Sequence, residues 1–171
     1  MRLLLLAGLA LAAASASAQP GARPTAVYAE LAGPTGAYAL GVERVVWTAA
    51  AGERQLRLRA GASYWTEWLA DDVTDRVFTV PLGAAALFSL GRPVGVPAAF
   101  EFGAGAVFVR RSGPHYALAG ERFALPAYAE AAVRASVAGR VGARVGVAVG
   151  GEESGLVGDG VRPVVGLAVG L

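Results

Sequence analysis

RQLRLRAGASYW, residues 54–65, is the stretch whose reading decides the fold. Leu56, Leu58, Ala60, Ala62 and Tyr64 fall on one parity, and Arg57, Arg59, Gly61 and Ser63 on the other. A period of two belongs to a β-strand, whose successive side chains point to opposite faces. One face is apolar and the other is polar or tiny, so the two faces must meet different surroundings.

Seven further segments alternate in the same way. In the first, Val27, Ala29 and Leu31 oppose Tyr28 and Glu30; the tight-turn sequence GPTG (33–36) then reverses the chain. On the return, Tyr38, Leu40, Val42 and Val46 oppose Ala39, Gly41 and Glu43. Phe78, Val80, Leu82 and Phe88 stand against Thr79, Pro81 and Gly83, and Pro81, which cannot donate to a ladder, is expected to mark a bulge. Phe100, Phe102 and Phe108 oppose Glu101, Gly103 and Gly105; Ala129 and Val133 oppose Tyr128, Glu130 and Arg134. Val145 and Val147 oppose Gly142, Arg144 and Gly146, and Val165, Leu167, Val169 and Leu171 oppose Arg162, Gly166 and Gly170.

Composition says what surrounds these strands. Hydrophobic residues make up 55% of the chain and charged residues only 16%, well below the ~25% of ordinary soluble chains. Mean hydropathy is +0.50. The one long apolar run is at the start, MRLLLLAGLALAAASASAQP, with Arg2 before it and the small-residue site Ala16-Ser17-Ala18 after it. It is too short for a membrane helix and reads as a secretory signal peptide, residues 1–18, leaving residues 19–171 as one domain. With no spanning helix, a membrane protein of this composition has one architecture left. Lipid offers no partners to backbone N–H and C=O groups, so the strands must close. The expected fold is therefore all-β: an eight-stranded antiparallel up-and-down transmembrane β-barrel after a cleaved signal peptide.

In a barrel of this size side chains fill the interior. Glycine, 24 residues, falls heavily on the polar face and leaves room for long neighbours. Those neighbours are Glu30, Glu43, Glu101 and Glu130 with Arg57, Arg59, Arg134, Arg144 and Arg162, expected to form an internal network of ion pairs. Aromatics such as Tyr38, Tyr64, Trp65, Trp68, Phe78 and Phe108 gather toward one set of strand ends, and Trp47, Phe88 and Phe100 toward the other, as interfacial girdles require. The longer connectors, residues 66–75, 111–123 and 151–160, carry most of the acids and are expected outside the cell.

VYAELAGPTGAYALGVER, residues 27–44, resembles the opening hairpin of small outer-membrane β-barrels of Gram-negative bacteria, the OmpA and OmpX type. The resemblance extends over the whole chain after the signal. It implies an outer-membrane location, surrounding lipid and insertion by the barrel-assembly machinery; the expected role is that of a plugged monomer serving envelope structure, or contact with a surface ligand through the outer loops, rather than transport. Members of that group end their last strand on an aromatic residue, where this sequence has Leu171.

Other chemistries find little here. Ser112, His115 and Glu121 on one connector have the residue types of a hydrolytic triad, but their spacing matches no such motif. Asp71, Asp72 and Asp75 lack the spacing of a calcium loop and read as a solvated charged loop; with one His and no Cys, no metal or cofactor is expected. All 15 basic residues are arginine, unclustered and balanced by 13 acids, so no nucleic-acid partner is expected. The rival architecture is a soluble, lipocalin-like barrel binding an apolar ligand. It would need the apolar face inside and the arginines in water.

Overall fold

A computed structural model of the chain describes residues 25–35, 37–49, 52–68, 74–114, 123–138, 140–150 and 160–171. The expected signal peptide (1–18) and Asp71, Asp72, His115 and Glu121 lie outside the described residues. The strands are β1 (Thr25–Ala32), β2 (Ala37–Thr48), β3 (Arg54–Trp68), β4 (Thr74–Gly91), β5 (Ala98–Ser112), β6 (Phe123–Ala124), β7 (Ala127–Ala138), β8 (Val141–Gly150) and β9 (Val161–Gly170). Neighbours in sequence pair antiparallel around one sheet, and β1 pairs with β9 to close it. β6 and β7 both pair with β5 and together make one staff of the barrel. Pro126, which has no N–H to give, interrupts that staff, while its carbonyl accepts from the Val107 amide at 2.9 Å. The result is a closed antiparallel barrel of eight staves.

Its faces follow the period-two pattern. Leu58 is 50% exposed and its chain neighbour Arg59 8%. Leu31, Leu82, Phe102, Val145 and Leu167 are likewise exposed, whereas Glu30, Glu101 and Thr79 are buried. The interior is charged and the exterior apolar, the inverse of what the lipocalin-like alternative needs. Among the described residues no helix is long and apolar enough to cross a membrane; here the strands themselves present the apolar belt that lipid requires. This is the architecture of an outer-membrane β-barrel.

Several local expectations need correction. Pro81 marks no bulge: the β3–β4 register is the same on both sides of it, and only the pairings of Gly61 and Ala62 drop out. A missing N–H removes ladder bonds without inserting a residue. The true register shifts fall at Val45/Trp47, Ser89/Gly91 and Ser136/Ala138. The first skips Val46, so Trp47 takes the outward place opposite Leu56. Trp65 does not join an outward girdle; it faces inward and packs on a cluster of Val77, Val107, Val109 and Tyr128. Asp75 is no loop residue either, being an enclosed inward position near the start of β4.

The two ends of the barrel differ. The first three residues of GPTG fold as a 3-10 turn, Gly33–Thr35, that reaches β8 and β9 on one side of the mouth and β4 on the other. Thr35 is fully buried there, its hydroxyl 3.2 Å from the Tyr38 carbonyl oxygen. Gly33 has φ +63°, and a Cβ at this position would strike the Glu30 carboxylate. That end is capped. The opposite end, where β1 starts and β9 finishes, opens into a chamber of about 470 Å³.

Candidate functional site: the enclosed charge network

Inward positions on six strands bring four glutamates and four arginines into one cluster across the waist of the barrel. β1 supplies Glu30, β2 Glu43, β3 Arg57 and Arg59, β5 Glu101, β7 Glu130 and Arg134, and β8 Arg144. Nine ion pairs connect them.

Glu43 and Glu101 are each shared by three arginines, and Glu43 receives four hydrogen bonds. Arg134 donates to it through both terminal nitrogens, at 2.6 and 2.8 Å, while Arg57 donates at 2.6 Å and Arg59 at 3.2 Å. Glu101, fully buried, accepts from Arg134 Nε at 2.9 Å and from Arg59 and Arg144. Glu130 accepts from Arg59 at 2.5 Å and from both terminal nitrogens of Arg144 at 3.1 Å. Arg144 also donates to Glu30. Bidentate, charge-assisted bonds of this kind are the strong ones. Arg134 and Arg144 stand directly opposite each other on β7 and β8, a placement that alone would repel. Shared acids on other strands offset it.

Backbone without side chains makes these reaches possible. Gly166 lies on β9 between Glu30 of β1 and Arg144 of β8. A Cβ there would sit 3.0 Å from Arg144 Cγ, so the glycine is the gap through which that arginine crosses a whole strand. Gly103, opposite Glu130 on β5, gives that side chain its bed: a Cβ would lie 2.8 Å from Glu130 Cγ. Glycine is needed at these places for space.

Of the residues the sequence proposed for the interior, Glu30, Glu43, Arg57, Arg59, Glu101, Glu130, Arg134 and Arg144 therefore meet. Arg162 also faces inward, but at the other end of β9, opposite Ala148, away from these nine ion pairs. Ser112 ends β5 as an exposed residue. Among the described residues no group of three or more His, Cys, Asp or Glu stands together as a metal site.

Sequence reasoning placed Tyr28 and Tyr128 on the inner face without a role. Each lies over a pair of glycines on neighbouring strands. Tyr28 covers Gly41 and Gly61, and Tyr128 covers Gly105 and Gly83. The signal was present as a repeat, Tyr-Ala-Glu at 28–30 and again at 128–130. Ser63 and Thr79, also buried, share a hydrogen bond of 3.0 Å.

No family model matches the chain, and no curated protein matches it. Among solved structures it is similar to Neisserial surface protein A (NspA), at 17% identity and a TM-score of 0.44 over 86% of this chain and 94% of that one. It is also similar to Ail, the attachment invasion locus protein of Yersinia pestis, at 9% identity and a TM-score of 0.39 over 86% and 93%.

Proposed function

We propose that this barrel serves the cell envelope as a structural element of the outer membrane and as a platform for surface contact at its GPTG end, without chemistry or bulk transport through its middle. The observation that carries this reading is the network itself: eight charged side chains of both signs, bonded to one another, occupy the lumen where a pore would run. Side chains arranged this way hold the wall rigid and leave no porin-like channel. Lipid covers the apolar belt, the barrel-assembly machinery inserts the protein, and the closed β1–β9 seam leaves no free sheet edge to recruit a second copy. It works as a monomer.

Two measurements test this. In fractionated envelopes the protein should sediment with outer membranes, dissolve only in detergent, and migrate differently on gels before and after boiling. Reconstituted into planar bilayers, it should show no steady conductance of porin size. Recovery in the aqueous periplasmic fraction, or a large stable conductance, would sink the reading.

A further inference from the structure

The chamber at the open end has a floor and walls with a definite chemical bias. Its floor is Glu43, Arg57 and Arg134, and its walls include Gln55, Ser89 and Ser136. Arg57 and Arg134 are the least buried members of the network, with side chains 19% and 11% exposed. Glu43 is already saturated, since its two oxygens receive four hydrogen bonds. Among the described residues each terminal nitrogen of Arg57 and Arg134 makes one bond, and a guanidinium NH2 has two hydrogens to give. Unused N–H donors therefore remain on both. Gln55 accepts from Arg57 through its oxygen at 3.0 Å, which leaves its amide NH2 as another donor.

Charge is skewed the same way. Four arginines balance four glutamates over the whole network, but the chamber floor itself holds two arginines, Arg57 and Arg134, against the single glutamate Glu43. At the rim Arg140 adds a further cation and Glu53 an exposed acid. Above the floor Val45, Leu87 and Ala168 line part of the wall. The three register shifts found among the described residues also lie at this end, beside Val45, Ser89 and Ser136. Bulges re-aim side chains and gather next to functional sites.

We propose that this chamber binds a small organic anion, with its carboxylate or phosphate oxygens on the free N–H groups of Arg57 and Arg134 and its hydrocarbon part against Val45 and Leu87. A volume of about 470 Å³ lies within the range of small-molecule sites, roughly 300 to 1,000 Å³. If the barrel sits in the outer membrane as proposed above, the site opens to the periplasm. The inference itself rests on the chamber and holds in detergent as in lipid.

Titration calorimetry on the folded full barrel in zwitterionic detergent tests it, with butyrate and phenyl phosphate as probes and sodium chloride as control. At least one probe should bind saturably, and comparing the two shows whether carboxylate or phosphate is preferred. Arg57→Gln and Arg134→Gln should each weaken binding at least tenfold. Both residues belong to the network, so two further variants leave its ion pairs intact: Ser136→Leu, which takes up part of the chamber and removes a wall hydroxyl, should weaken binding several-fold, as should Arg140→Ala. Arg92→Gln, an exposed position outside the chamber, should bind as the parent does. Unboiled gel migration confirms that each variant is folded. No saturable heat from either probe, heats matched by chloride, or undiminished binding by folded Ser136→Leu would each overturn the proposal.

Discussion

At the scale of single residues, the interior is decided by which positions lack a side chain. Gly61 illustrates this: a Cβ there would come within 2.6 Å of the Tyr28 hydroxyl, and next within 3.1 Å of the Leu40 carbonyl oxygen. Overpacking of a filled interior costs about 1 to 3 kcal/mol. Gly61→Ala should therefore destabilise the barrel by about that amount, and Tyr28→Phe should relieve most of the loss by removing the nearest atom. A double-mutant cycle on urea unfolding in lipid vesicles reads the coupling directly; additive losses would mean that the ring and the glycine do not share this space. In the sequence the inward parity of both residues is legible. Their contact is not, because Tyr28 is on β1 and Gly61 two strands away on β3.

Individual strands show a stricter rule, that the same residue type is required at one position and excluded at the next. On β3, Arg57 and Arg59 face the network while Leu56 and Leu58 face outward. An arginine on the lipid face of such a barrel costs about 2 to 4 kcal/mol at the bilayer midplane and little near the interfaces. Leu58→Arg should then lower unfolding stability in vesicles in proportion to its depth, while Arg92→Glu on an exposed connector should change it by less than about 0.5 kcal/mol. Equal tolerance of the two would contradict the outward assignment. Parity made the β3 faces readable in advance. Two tryptophans depart from expectation for opposite reasons: the skip at Val46 breaks parity and turns Trp47 outward, whereas at Trp65 parity prevails over the interfacial preference of the ring and carries it inward onto Val77.

Over the whole molecule, the charge cluster ties opposite walls together. Arg59 of β3 donates to Glu101 of β5 and Glu130 of β7, and Arg134 of β7 donates back to Glu43 of β2. Taking one partner from a buried ion pair leaves the others uncompensated and costs roughly 3 to 5 kcal/mol. Glu101→Gln, which leaves Arg59, Arg134 and Arg144 short of a shared carboxylate, should fall in that range in vesicle unfolding and should slow refolding. A loss under about 1 kcal/mol would show that water or lateral rearrangement replaces the acid.

By itself, the sequence determined the number of staves, the side of the wall that residues take where the alternation is unbroken, and the inverse distribution of charge and apolar surface. These follow from a period of two and from composition, both local properties that survive without knowing any partner. Only the tertiary structure decided which acid meets which arginine, that Arg162 stands apart from the cluster, and that one end is capped by GPTG while the other opens into a chamber. Long guanidinium side chains cross one or more strands of the wall or the lumen itself. Their partners depend on register, bulges and glycine gaps set by distant parts of the chain, and no spacing along the sequence records those distances.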